Sequence, residues 1–121
     1  MKSMRHIEDN SCLRFVPRTH EKDYIKIIKE SGCWSLWGRA GNGEQPLSIG
    51  AGCQALGTIV HELMHAIGFG HEHIREDRDN YINIHWENID PKHHNGFKKL
   101  IPEQQRLLTP FDYNSIMMYG E

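Results

Sequence analysis

The chain is expected to fold as an α+β domain, a small mixed sheet with one long helix, and three observations carry that expectation. Leu56, Val60, Leu63 and Ile67 recur at intervals of 4, 3 and 4, the spacing of a single apolar stripe on a helix. Residues 24–28, YIKII, combine high β propensity with a lysine set between apolar neighbours, which predicts a strand. Residues 33–38 and 47–49 are short apolar runs separated by a loop rich in glycine, so they predict further short strands.

Taken in order, residues 4–10 predict the end of a polar helix that begins before Met1. Residues 12–16, CLRFV, are short and apolar enough for a strand, which Pro17 ends. After a charged turn and the strand at 24–28, Ser31 and Gly32 break the chain. The CWSLWG run at 33–38 holds two tryptophans; core packing is the plainer expectation for them, and an apolar wall beside a cleft is the functional one. Residues 38–46, GRAGNGEQP, are a loop by composition. A brief strand at 47–49 follows, with two readings open: it borders a cleft with one edge free for an extended peptide, or that edge is covered by a further part of the fold. The long helix is expected from about Cys53 to Ile67. Beyond it, the charged run from Glu72 to Asp79 is expected to be solvated, with Glu72 needing a cationic partner if it is buried. His73, His85, His93 and His94 are expected to be accessory imidazoles, the last two on the surface. Residues 96–101 and 104–108 offer short amphipathic pieces, and residues 115–119 a buried apolar turn.

Composition narrows the function classes. With 121 residues the chain is one domain at most, and its 14 basic and 16 acidic residues are well mixed, for a net charge of -2. No field favours nucleic acid or an anionic membrane. No stretch approaches the roughly 20 apolar residues of a membrane span. The start, MKSMRHIEDNS, lacks the apolar run of a secretory leader, so any exporting segment is expected outside this chain. Three cysteines permit three pairings or none. A Cys33–Cys53 bond would tie the Trp-rich run and the Gly-rich loop to the start of the helix and leave Cys12 without a partner. A reduced protein with small buried thiols is the competing state.

The chemistry concentrates at residues 61–71, HELMHAIGFGH. His61 and His65 stand one turn apart on the helix, so both rings reach one ion, and Glu62 lies beside them within reach of a metal-held water. Gly68 can end the helix in a left-handed conformation and return His71 to the same ion. The extended pattern HExxHxxGxxH predicts a zinc site of three nitrogens with one position open, as a catalytic site needs.

The stretch 61–79, HELMHAIGFGHEHIREDRD, resembles the signature HExxHxxGFxHExxRxDRD of the astacin family of zinc endopeptidases. Ser115 to Tyr119, SIMMY, is similar to that family's SxMxY turn, and CLRFVPRTHEKDY at 12–24 is similar to its opening. The resemblance implies a zincin-like metzincin N-terminal subdomain followed by a Met-turn, with the chain, residues 1–121, a partial catalytic domain truncated at both ends. It implies His61, His65 and His71 as ligands of one catalytic Zn2+, with Glu62 as general base. Met117 is implied as the hydrophobic base beneath the histidines. Tyr119 is implied as an additional ligand that swings to steady the transition state. Cys33 and Cys53 match one family disulfide, while Cys12 matches a cysteine whose partner lies near the domain's C-terminus.

Implied too are secretion, a protein or peptide substrate, a C-terminal part outside this chain that completes the cleft, and an N-terminal strand and helix region, likewise outside it, whose mature amino terminus is buried near Glu72. The reaction implied is hydrolysis of internal peptide bonds by a zinc-activated water. Two other readings remain: a zinc-binding stretch without turnover, and an interaction module, which gives no reason for Glu62 or Tyr119.

Overall fold

The computed structural model describes residues 2–119. Met1, Gly120 and Glu121 lie outside them, and with Met1 the expected earlier start of the first helix. The chain divides into two compact units, one up to Phe69 and one from Gly70.

The first unit is the α+β part. Helix α1 spans Lys2–Asp9 and buries Ser3 and Ile7. Three strands follow, β1 at Tyr24–Ile28, β2 at Cys33–Ser35 and β3 at Glu44–Ile49, and then helix α2 at Leu56–Ile67. The sheet order is β1-β3-β2, with β1 parallel to β3 and β2 antiparallel to it. The mixed sheet is therefore as expected, but β3 lies at its centre. Leu47 and Ser48 pair with Ile27 and Ile28 on one side and with Ser35 and Trp34 on the other. The expected free edge at 47–49 is thus already taken; in this sheet the outer strands are β1 and β2.

Alternation along β3 explains what it carries. Leu47 is fully buried and joins Ile7, Val60 and Leu63 in one core, with Phe15, Ile49, Met64 and Ile67 packed around it. On the opposite face the buried Ser48 hydroxyl donates to the Gly32 carbonyl and accepts from the Glu30 amide. Gly50 just beyond is held by a close approach: a Cβ there would lie 2.1 Å from the Glu30 carbonyl oxygen, so only glycine fits.

Two further expectations in this unit are corrected. Residues 12–16 form no strand, and Leu13 and Val16 are exposed. With no ladder partner, the run is anchored instead by Phe15, whose ring packs on the core and whose amide donates to the Glu8 carboxylate at 2.7 Å. Helix α2 begins at Leu56 and not at Cys53, because Ala55 is extended at ψ 140° and the Cys53 amide turns back to the Gly50 carbonyl. Leu56 consequently leaves the apolar stripe and is 47% exposed.

Cys33 and Cys53 are disulfide-bonded, Cα to Cα 5.7 Å, while Cys12 is free and exposed. The bond joins the start of β2 to the lead-in of α2 across 20 residues. A loop of this length gives about 3 kcal/mol of stabilisation by chain entropy. The Cys33→Ser, Cys53→Ser double variant is therefore expected to lose roughly that much in urea unfolding.

The second unit is built from 3-10 turns at Glu72–Ile74, Arg78–Asn80, Trp86–Asn88, Pro91–Phe97 and Pro102–Gln104. No strand forms at residues 81–84, although burial alternates there, nor do 96–101 and 104–108 form longer helices. Buried charge orders this unit. Arg75 holds Asp77 through two bonds of 2.9 Å, Glu72 at 2.8 Å, and the carbonyls of Thr109 and Pro110. Its guanidinium also stands over the Phe111 ring. The run from Glu72 to Asp79 is accordingly not a solvated face, because Arg75 and Arg78 are both buried. Glu72 has the cationic partner its burial required.

Hydrogen bonding from Arg75 holds the Asp77 carboxyl below its ordinary value against the opposing effect of burial. A carboxylate with a lowered folded pKa contributes stability that is complete above its unfolded pKa, about 3.9, and is lost as pH falls through the folded value. Denaturant midpoints are therefore expected to drop below about pH 4 in the wild type. The Asp77→Asn variant is expected to show a shallower acid dependence.

Candidate metal centre

Helix α2 presents His61 and His65 one turn apart, with ring centroids 4.7 Å apart and edge to face. Packing of Val60 and Leu63 into the core fixes the helix and hence both rings. His65 is almost fully buried, and its Nδ1 lies 2.8 Å from the Phe69 carbonyl oxygen. Since a carbonyl only accepts, Nδ1 carries the proton and Nε2 keeps its lone pair. Burial, the largest influence, pushes the His65 pKa down, which favours the neutral ring a metal needs.

The turn after α2 does what the glycine promised. Gly68 adopts φ 118°, and its amide bonds to the carbonyls of Met64 and His65. Phe69 bonds back to Met64 as well, so the helix closes and the chain returns within three residues to His71. In the stretch 61–71 one nitrogen each from His61, His65 and His71 lies within 4.8 Å of the others. Ligands at 2.0–2.1 Å around a tetrahedral ion stand about 3.3–3.5 Å apart, so small ring adjustments seat one zinc. The donor set of three imidazoles fits that ion, and among the described residues no second such group forms.

Glu62, the residue after His61, is only 6% exposed. Burial raises its carboxyl pKa above the ordinary value, and His61 partly opposes the rise. A raised pKa suits a group that takes and returns a proton near neutral pH.

Two further contributions come from the first unit. Trp37 stacks on the His65 ring, centroids 5.6 Å apart at 20°, and is 45% exposed, so core packing, the plainer of the two expectations, does not describe it. Gln45 has a role that the sequence reading missed. Its side chain accepts from Ala40 and donates to the Gly38 carbonyl at 2.7 Å, and the Gly38 amide in turn donates to the His65 carbonyl at 2.8 Å. The one available signal was a polar residue two positions before Leu47, on the core side of a strand.

In the second unit Met117 is buried, and its carbonyl accepts from the Glu72 amide at 2.9 Å, which ties the turn at 115–119 to the residue next to His71. Glu72 also takes the Asp112 amide at 3.0 Å. The Tyr119 ring lies 4.6 Å from that of His71. Tyr119 is 44% exposed and forms one wall of a cavity of about 470 Å³ that Asp90, His93 and Phe97 also line. His73, expected only as an accessory imidazole, is 2% exposed and packs against both His71 and Tyr119. His93 is exposed as expected and His85 is exposed too, whereas His94, also expected on the surface, is half-buried against Trp86. Among the described residues no helix is long and apolar enough to cross a membrane.

Comparison with known proteins agrees with this geometry. The profile of the peptidase family described as Astacin matches residues 1–121. Astacin-like metalloprotease toxin 2 of Loxosceles intermedia is 47% identical over 99% of this chain and 47% of its own length. High choriolytic enzyme 1 of Oryzias latipes is 49% identical over 98% of this chain and 43% of its own length. The solved structure of that enzyme, a hatching enzyme zinc-protease, matches with a TM-score of 0.91 at 48% identity, covering 98% of this chain and 58% of the other. The chain thus spans about half the length of these relatives. With the profile, the fold and the three-histidine stretch in agreement, the chain belongs to the astacin family.

Proposed function

We propose that residues 1–121 are part of the catalytic domain of a zinc-dependent endopeptidase that cleaves internal bonds of extracellular proteins or peptides. The observation that carries the reading is the 61–71 stretch, which brings three imidazole nitrogens together beside a buried carboxylate. When bound, zinc supplies Lewis acidity that polarises a carbonyl and brings the pKa of water from 15.7 to about 7. The residues supply the rest. The Phe69 carbonyl keeps His65 in the tautomer that offers Nε2. Glu62 takes a proton from water and delivers it to the departing amine. Tyr119 donates its hydroxyl hydrogen to the substrate oxygen as negative charge develops there. Met117 is the counterpart of the family's hydrophobic base, and Glu72, whose amide donates to its carbonyl, couples that turn to the Arg75 network. An exporting context accords with the Cys33–Cys53 bond.

The test is cleavage of a heat-denatured protein by the zinc-loaded chain. Cleavage is expected to stop on chelation and to return when zinc is restored. A second reading, a chain that holds zinc without turnover, is favoured by one observation: the relatives are about twice as long. One zinc bound with no cleavage would select it, and assign the activity to a longer protein.

A further inference from the structure

Three rings of the second unit surround the seated side of Tyr119: His73 at 4.0 Å between centroids, His71 at 4.6 Å and Phe97 at 5.7 Å. His73 is the nearest, and it is held from two directions. Its Nε2 lies 3.0 Å from the Gly96 carbonyl oxygen, a contact that requires the proton on Nε2. Arg78, itself buried, donates from Nη1 to the carbonyls of both His73 and Phe97. Two of the rings around Tyr119 are thereby cross-tied through their own backbones. The other nitrogen, His73 Nδ1, is buried and has no hydrogen-bond partner among the described residues. An imidazole buried this way is a poorer filler than phenylalanine, since the unpaired acceptor has lost water and gained nothing. Packing alone gives no reason for histidine here. The bond to Gly96 does, because it fixes the rotation of a ring that a phenyl group would leave free.

We propose that His73 is a positioning residue for Tyr119: its imidazole, locked by the Gly96 carbonyl, sets where the phenol sits beside His71. The effect on rate rests on the reading of Tyr119 as the donor to the substrate oxygen. The effect on ring position does not.

The test separates the two. The chain is labelled with 3-fluorotyrosine, and the Tyr119 resonance among its four tyrosines is assigned by its loss in Tyr119→Phe. In the metal-free protein, His73→Phe is expected to move that resonance, while His85→Ala, an exposed imidazole of the same unit, leaves it in place. In the zinc-loaded protein, His73→Phe is expected to lower kcat about tenfold with KM unchanged, the effect of a displacement smaller than the 1 Å that costs about 10²-fold. That loss is expected to vanish in the Tyr119→Phe background. His73→Gln, which keeps a donor for Gly96 without the ring, serves if His73→Phe does not fold. An unmoved fluorine resonance overturns the proposal, as does an equal loss of kcat with and without the Tyr119 hydroxyl. If Tyr119→Phe keeps the wild-type rate, or the chain does not cleave, the role proposed for Tyr119 or for the chain fails, and the resonance alone decides the question of His73.

Discussion

Glu62→Gln is expected to bind one zinc as the wild type does and to lose roughly 10²- to 10⁴-fold in kcat, the range for removal of a general base. The side chain is nearly isosteric and its position on α2 is fixed by Leu63 and Val60, so geometry is preserved while the proton acceptor is lost. The ionised form of Glu62 is the one that accepts the proton, so the acid limb of the kcat/KM profile reports this group. The rate falls as pH drops through its pKa, which burial raises and the charge of a bound metal lowers. Glu62→Gln is expected to abolish that limb in whatever activity remains. Rates for purified variants, normalised to bound zinc, check this; an unchanged kcat would remove Glu62 from the proton-transfer role.

The second large effect concerns the ligands. His65→Ala is expected to weaken zinc binding by more than the roughly 10- to 100-fold that loss of an outer hydrogen-bond partner costs. It removes a donor already held in its tautomer by the Phe69 carbonyl, and leaves two imidazoles, too few for a closed set. Gly68→Ala should weaken binding less. It leaves every donor in place but forces a side chain to φ 118°, straining the turn that delivers His71. Competition with a chromogenic chelator orders the two. Equal affinities in the wild type and His65→Ala would mean that the ion sits elsewhere.

Much of this site was legible in the sequence because it is local. His71 is only six positions after His65, and helix periodicity together with one glycine suffices to bring them back together. Strand β1 was legible for the same reason, since its β propensity is intrinsic to YIKII. What remained hidden depends on distant partners. Arg75 and Arg78 lie in a run of charges that reads as solvated, yet the carbonyls that satisfy them belong to Thr109, Pro110 and Phe97. His73 is buried by a carbonyl 23 residues away, and no spacing announces that. CLRFV carries strand propensity without a strand to pair with, so propensity lost to context. The central place of β3 follows from β1 and β2 arriving on opposite sides of it, which composition does not encode. Met117 and Tyr119 drew attention only through resemblance to a family turn, since a methionine and a tyrosine in an apolar tail otherwise suggest packing alone.

The most direct test of the three-histidine centre is zinc K-edge X-ray absorption on the zinc-loaded chain. One zinc per chain is predicted, with a shell of light ligands at about 2.0–2.1 Å and the outer scattering pattern of three imidazoles. A sulfur shell near 2.3 Å would instead place the ion on the free thiol of Cys12. That result, or fewer than three imidazoles in the wild type, would contradict a centre made by His61, His65 and His71.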